Sequence, residues 1–490
     1  MQISHLDFVI LIVYLAGITL FGAQFRRGQK DLRDYFLGGR TAPWWALACS
    51  IVATETSTLT IISTPGIAYG GNLGFMQIVL GYLIARVVLC IVLVPQYFQG
   101  EFYTAYQLLE KRFGSRMKSA AALVFMATRA LAEGVRIAAI GKVVSVAFGT
   151  DNRVSILIVG VLTMFYTFEG GMRAVIWTDV IQFALYITGS VAAFFLLLHK
   201  IPGGWVSVTQ TAAMAGGKLS VFNFAFSLTQ SYTFWAGILG GTFLTMASHG
   251  TDQTMVQRLL SARNERDSKK ALLASGVIIF FQFALFLVIG VMLFVYARDF
   301  GVAVPGGDLD RIFPAFIVHD MPHGLAGLVL AAIFAVAMSN ASGSLNSLAS
   351  SSMIDLRRRR AGPVGGAAGG EQARSVKRSR WVTLAWGAVL VALGFVKWGP
   401  VLVAGLTIAS ITYGALLGVF LLGTWNRHSN ERGALIGFVA GLLAMIAVHQ
   451  WTPLAWTWYA MAGTIVTFAV GSLASLGGRA PTALPMANIP

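Results

Sequence analysis

The sequence predicts an all-α integral membrane protein, and three observations carry that prediction. Of the 490 residues, 56% are hydrophobic and only 11% charged, whereas soluble domains carry about 25% charged residues. Mean hydropathy is +0.71. The apolar residues fall in long unbroken runs and not in alternation, which speaks against a transmembrane β-barrel. At about 20 residues per crossing, these runs supply about 13 spanning helices. The composition excludes a soluble globular domain, a disordered chain and a coiled coil.

The spans are expected at 5–24, 44–65, 74–98, 119–148, 153–169, 174–199, 233–248, 271–297, 324–352, 381–397, 399–425, 433–448 and 453–477. Residues 1–7 carry no Lys or Arg, while Arg26, Arg27 and Lys30 follow the first run. A cleaved signal has its positive charge before the apolar stretch, so the first helix is expected to be retained. Basic loops at 111–118, 258–270, 357–380 and 427–432 then face the cytoplasm, with the N-terminus outside and the C-terminus inside a plasma (inner) membrane. The formal net charge of +16 belongs to these loops, so no nucleic-acid partner is expected. Residues 357–380, built around Gly-Gly-Ala-Ala-Gly-Gly, read as a flexible linker.

Two spans are wrong for simple bundle helices. The second reads Ala53-Thr54-Glu55-Thr56-Ser57-Thr58-Leu59-Thr60, then Pro65-Gly66, which puts a carboxylate among hydroxyls near mid-membrane. Hydroxyl side chains compete for backbone hydrogen bonds. Unwound backbone at that depth must line a cavity or be buried in protein, where its carbonyls suit a hard cation. The bland alternative is a hydroxyl-rich packing face, which the cost of burying Glu55 disfavours. The ninth span repeats the pattern, with Ser339, Ser342 and Asn346 on one helical face.

Other intramembrane charges are Arg86, Arg129, Glu133, Arg136, Lys142 and Asp179. Glu133 and Arg136 are spaced to neutralise each other, whereas Arg129 and Lys142 sit nearer helix ends and can snorkel. His249 reads as a polar helix-end residue, because no second His or Cys stands at ligand spacing.

The chain resembles the sodium:solute symporter family at residues 34–40, 53–66, 170–182, 252–258, 331–347 and 412–418. The resemblance implies a leucine-transporter-like fold of two inverted five-helix repeats, at 44–199 and 233–425, joined by an outer loop at 200–232. A first helix with its loop (1–43) precedes them, a cytoplasmic linker (355–380) lies within the second, and two helices with a short tail (426–490) follow. The implied activity is alternating-access import of a small polar organic solute (a sugar, amino acid or carboxylic acid), with Na+ and the bilayer as the other partners. One Na+ would be held by Ala53, Thr56, Val336, Ser339 and Asn340. Relatives usually carry Ser or Thr where Asn340 stands. A second would use Asp179, Ser339 and Ser342, although Gly343 replaces one hydroxyl of that set.

The resemblance implies different solutes at different positions. A sugar site of the glucose type lacks its acid and lysine, the nearest residues being Gln77, Arg86 and Gln282. Glu55 falls where proline relatives have an acid, and Arg136 about one turn from an arginine of sialic acid relatives. A Glu55–arginine site suits a zwitterion or a polar acid, and a Glu55–Arg136 pair would suit a neutral polyol. Ser57, Thr60, Thr245, Ser248 and Thr412 complete the candidate lining. Proton coupling through Glu55 or Asp179 is the alternative drive. A membrane sensor would need an output domain, for which the residues after the last span are too few. No nucleophile elbow, metal cluster or phosphate loop suggests an enzyme.

Overall fold

The computed structural model describes residues 3–24, 37–100, 102, 104–166, 172–354 and 369–476. These residues form helices and one isolated bridge, Ala42 to Ala262, with no strand among them. Helical structure covers most of each stretch expected to span, residues 167–169 and 477 lying outside the described residues. Seven helices are long and apolar enough to cross a membrane, and a bent pair makes an eighth. Residues 355–368 of the expected linker lie outside the described residues, and 369–380 begin a helix.

Helix α1 (His5–Gln24) lies against α11 (Leu325–Ile354) and α7 (Met172–Lys200). The second span is broken as expected. α2 (Trp44–Glu55) ends and α3 (Thr58–Gly70) begins two residues later, the two bent by 64°. Pro65 inside α3 offers no N–H to the carbonyl one turn back, which loosens that helix further. α4 (Met76–Val92), α5 (Ser115–Phe148) and α6 (Asn152–Tyr166) follow, then α7.

The seventh span is broken as well, which was not expected. A π-helical turn at Ala236–Gly240 leads into α8 (Gly241–Gly250). Asp252 then caps α9 (Gln253–Leu260) by accepting from Thr254 N at 2.8 Å. The chain continues through α10 (Glu265–Phe300), α11, α12 (Gly369–Gly394), α13 (Val401–Trp425), α14 (Glu431–Trp451) and α15 (Tyr459–Ser475).

Two apolar cores hold these helices. One joins α3, α4, α7, α10 and α11, and the other joins α2, the N-terminal part of α5, and α13 with α14. α10 packs on both halves of the first broken span and on α4. Its approach to α3 is backbone-close, since a Cβ on Gly290 would sit 2.1 Å from the Pro65 carbonyl oxygen. That contact fixes α3, the second half of the broken span, against an unbroken helix.

Candidate functional site

The break frees two carbonyls. In a continuous helix Ser57 N would donate to Ala53, but it turns to Glu55 O at 3.1 Å, while Thr56 N still donates to Val52 O at 2.7 Å. On the far side, Thr60 N donates to Ser57 O at 2.9 Å and so passes over Thr56. The Ala53 and Thr56 carbonyls therefore lose their helical donors, and these are the two oxygens the resemblance implied for Na+. Thr56 is itself steadied from α10 and α7: Gln282 Nε2 donates to Thr56 Oγ1 at 2.7 Å, and Tyr186 OH donates to Gln282 Oε1 at 3.0 Å.

Val336, Ser339 and Asn340 lie on α11, near Ala335, whose carbonyl accepts from Gln182 on α7 at 3.4 Å. Asn340 is buried, and its Nδ2 has no partner. The side chains of Ser339 and Asn346 lie outside the described residues. Asp179, assigned above to a second Na+, accepts from Arg258 Nη2 at 3.0 Å and from Ser50 Oγ at 2.6 Å. Arg258 Nε also donates to that Ser50 hydroxyl at 3.0 Å. The group ties α2, α7 and α9 together. Ser342, on α11, is half-buried.

A cavity of about 140 Å³ lies between the two broken spans. Of the expected lining, Glu55, Ser57, Thr60, Arg136, Thr245 and Ser248 face it. Four others do not. Gln77 is spent on the segment between α7 and α8, donating to Gly74 O and Tyr232 O and accepting from Asn223 N at 2.9 Å. Gln282 supports the break instead. Thr412 donates to helix carbonyls one turn back, as hydroxyls on long helices do. Arg86 stands behind Glu55, fully buried. Its Nη2 donates to Glu55 Oε2, its Nε to Ser275 Oγ at 3.2 Å and its Nη1 to Tyr82 O at 3.1 Å.

Residues outside the expected lining complete the cavity. His249 Nε2 is 3.3 Å from both Glu55 Oε2 and Arg86 Nη2, and its Nδ1 is 2.9 Å from Ser248 Oγ. It is thus a member of the Glu55 group and more than a helix-end residue. Asp252 accepts from Tyr413 OH at 2.7 Å, which joins α13 to the second break. Phe75, Tyr82 and Phe283 form an aromatic wall, with Phe75 stacked on Phe283 at 5.2 Å.

The expected Glu133–Arg136 pair forms at 3.0 Å. Glu133 also accepts from Ser344 Oγ at 2.8 Å, and Ser344 accepts from Arg129 Nε at 2.8 Å. Arg129 therefore does not snorkel; it lines the cavity. Lys142, the other expected snorkeller, pairs with Asp310 at 2.6 Å and Asp308 at 2.9 Å in the segment between α10 and α11. There it lines a second cavity of about 880 Å³, which shares Leu402 with the cavity between the breaks.

Residues 35–441 match the model of the sodium:solute symporter family. The sodium/sialic acid symporter SiaT of Proteus mirabilis is 30% identical over 96% of this chain and 95% of its own length. The human sodium/iodide cotransporter is 29% identical over 92% of this chain and 70% of its own length. Among solved structures, a Na+-coupled sialic acid symporter in a substrate-bound, outward-open state superposes with a TM-score of 0.87 at 28% identity. It covers 98% of this chain and 100% of its own. The nucleobase-cation-symport transporter Mhp1, closed around a hydantoin, shares the fold at a TM-score of 0.57 and 11% identity, over 89% and 93% of the two chains.

Proposed function

The chain belongs to the sodium:solute symporter family, and from that premise we propose that the gap between its two broken spans is where Na+ and solute bind together. It is a sodium-coupled transporter with a leucine-transporter-like fold, not an enzyme. Repeats at 44–199 and 233–425 would place both breaks at the midplane, each at the first helix of its repeat.

One observation carries the assignment. The break at Thr56–Ser57 leaves the Ala53 and Thr56 carbonyls without helical donors, next to a cavity walled by Glu55 and Ser57. In this reading Na+ sits between those carbonyls and Val336, Ser339 and Asn340 of α11. Asn340 would ligate through its Oδ1, since the Nδ2 that lacks a partner is a donor and cannot bind a cation. An ion so placed ties α2 and α3 to α11, so that its binding favours one conformation for the solute. Glu55, Ser57, Thr60, Arg136, Thr245 and Ser248 receive the solute.

Asp179 would complete a second Na+ site with Ser342 only by sharing its carboxylate with Arg258. The proton-driven alternative needs Glu55 or Asp179 to titrate, and each already faces a guanidinium within the bilayer. The basic loops support an outer N-terminus and import into the cytoplasm.

A thermal-stability titration of the purified protein tests the reading. NaCl should raise Tm in a saturable way and choline chloride at equal ionic strength should not, because only a ligand of the native state stabilises by mass action. Equal effects of the two salts would refute it.

A further inference from the structure

Along one face of α10, Ser275, Ile279, Gln282, Phe286 and Gly290 recur every three or four residues, and all are buried. Three of them meet the first broken span. Ser275 Oγ accepts from Arg86 Nε at 3.2 Å, behind the Glu55 carboxylate that ends α2. Two turns on, Gln282 Nε2 donates to the Thr56 hydroxyl at 2.7 Å. About two turns further, Gly290 lies against the Pro65 carbonyl of α3. One unbroken helix therefore meets the end of α2, the break itself and α3.

The break consists of Thr56 and Ser57, both extended, at φ −78°, ψ 91° and φ −90°, ψ 173°. Little backbone bonding holds them: Thr56 N still reaches Val52 O, and Ser57 N only Glu55 O. The direction of the Thr56 carbonyl therefore depends on what grips that residue from outside the span. Gln282 supplies the grip, with its side chain 2% exposed and Thr56 fully buried. Its other end is engaged by Tyr186 of α7, which donates to Oε1 at 3.0 Å, so both ends of the amide are satisfied. Neither Gln282 nor Tyr186 lines the cavity between the breaks. Whatever they do there passes through Thr56.

Resting on the proposed Na+ site, we infer that Gln282, oriented by Tyr186, is a positioning residue that holds the break in its ion-binding shape before Na+ arrives. It gives the ion no ligand of its own. A ligand set ordered in advance lowers the ordering cost of binding, so loss of the grip weakens Na+ binding while every ligand remains. The same bond makes Na+ affinity depend on the seat of α10 against the break.

The test reads the Na+ midpoint of thermal stabilisation, with choline chloride holding ionic strength, in the purified full-length protein. Gln282→Met keeps the side-chain length and removes the donor, so the midpoint should rise about fivefold or more, the worth of one hydrogen bond. Thr56→Val keeps the backbone carbonyl and should raise it as far. The two together should raise it no further, because each removes the same bond. Tyr186→Phe should raise it by less. Leu293→Ala, in the apolar core three turns along α10, should lower Tm and leave the midpoint within about twofold of wild type. An unchanged midpoint in Gln282→Met or Thr56→Val, or shifts that multiply in the double variant, would overturn the inference. So would an equal midpoint shift in Leu293→Ala, since lost packing alone would then suffice. If Gln282→Met does not fold, Thr56→Val and Tyr186→Phe decide the matter. A NaCl-specific rise in wild type that the variants match leaves the Na+ site standing without this residue, and its absence from wild type would remove both readings.

Discussion

Removing Arg86 should be among the most damaging single changes in the membrane core. The guanidinium is fully buried, and it is the direct partner of a carboxylate at a helix break. Arg86→Met leaves Glu55 with only His249 beside it, and stripping one partner from a buried ion pair costs about 3–5 kcal/mol. Glu55→Gln keeps an oxygen for Nη2 but loses the charge assistance, a cost of about 1.5–3 kcal/mol. The double variant leaves neither charge behind. Its cost should fall short of the sum by about 2 kcal/mol, which is roughly a thirtyfold factor in the unfolding equilibrium. The four proteins can be unfolded in one detergent by denaturant and followed by tryptophan fluorescence. Costs that add to within about 0.5 kcal/mol would show that the two groups are not energetically joined, and Glu55 would then have no anchored orientation at the cavity.

Three further outcomes follow from packing and charge. Asp7 on α1 accepts from Gly324 N at 2.7 Å and Gly327 N at 2.8 Å, capping α11 from outside the two repeats. Asp7→Ala should therefore lower stability by about 1 kcal/mol and Asp7→Asn by much less, read as Tm. Gly290→Ala drives a methyl into the Pro65 carbonyl and should cost about 1–3 kcal/mol by denaturant unfolding, with no loss expected from a glycine that merely faced lipid. Glu133→Gln takes the carboxylate from Arg136 directly and from Arg129 through Ser344 Oγ, so in solute-uptake assays its loss should equal or exceed that of Glu55→Gln. A milder effect would mean that Glu133 only balances Arg136.

The first break was legible because its cause is local. Hydroxyls crowd around Glu55, and a proline stands one helical turn beyond Ile61. The second was not, because Gly250-Thr251-Asp252 looks like an ordinary helix end and carries no hydroxyl cluster. Pairs set by helix spacing, such as Glu133 with Arg136, could be read from position alone. The partner of Glu55 could not, since Arg86 arrives from another helix through packing. Arg129 resembled a snorkelling side chain because its distance from a helix end was visible and the Ser344 hydroxyl on α11 was not. Gln77 showed the opposite failure: a polar residue at cavity-like depth proved to be used by Gly74 and by the segment between α7 and α8.

The sodium site is tested most directly by the Na+ midpoint of thermal stabilisation in wild type and Ser339→Ala. Two broken-helix carbonyls cannot hold a hard cation alone, and Ser339 would bring an oxygen from the facing helix. Losing one ligand at the cost of a hydrogen bond to a charge, about 1.5–3 kcal/mol, should raise the midpoint by roughly 10- to 150-fold. Because the coupling between sites is reciprocal, solute affinity at fixed Na+ should fall too and recover partly at saturating Na+. An unchanged Na+ midpoint in Ser339→Ala would contradict the placement of the ion between α11 and the first break.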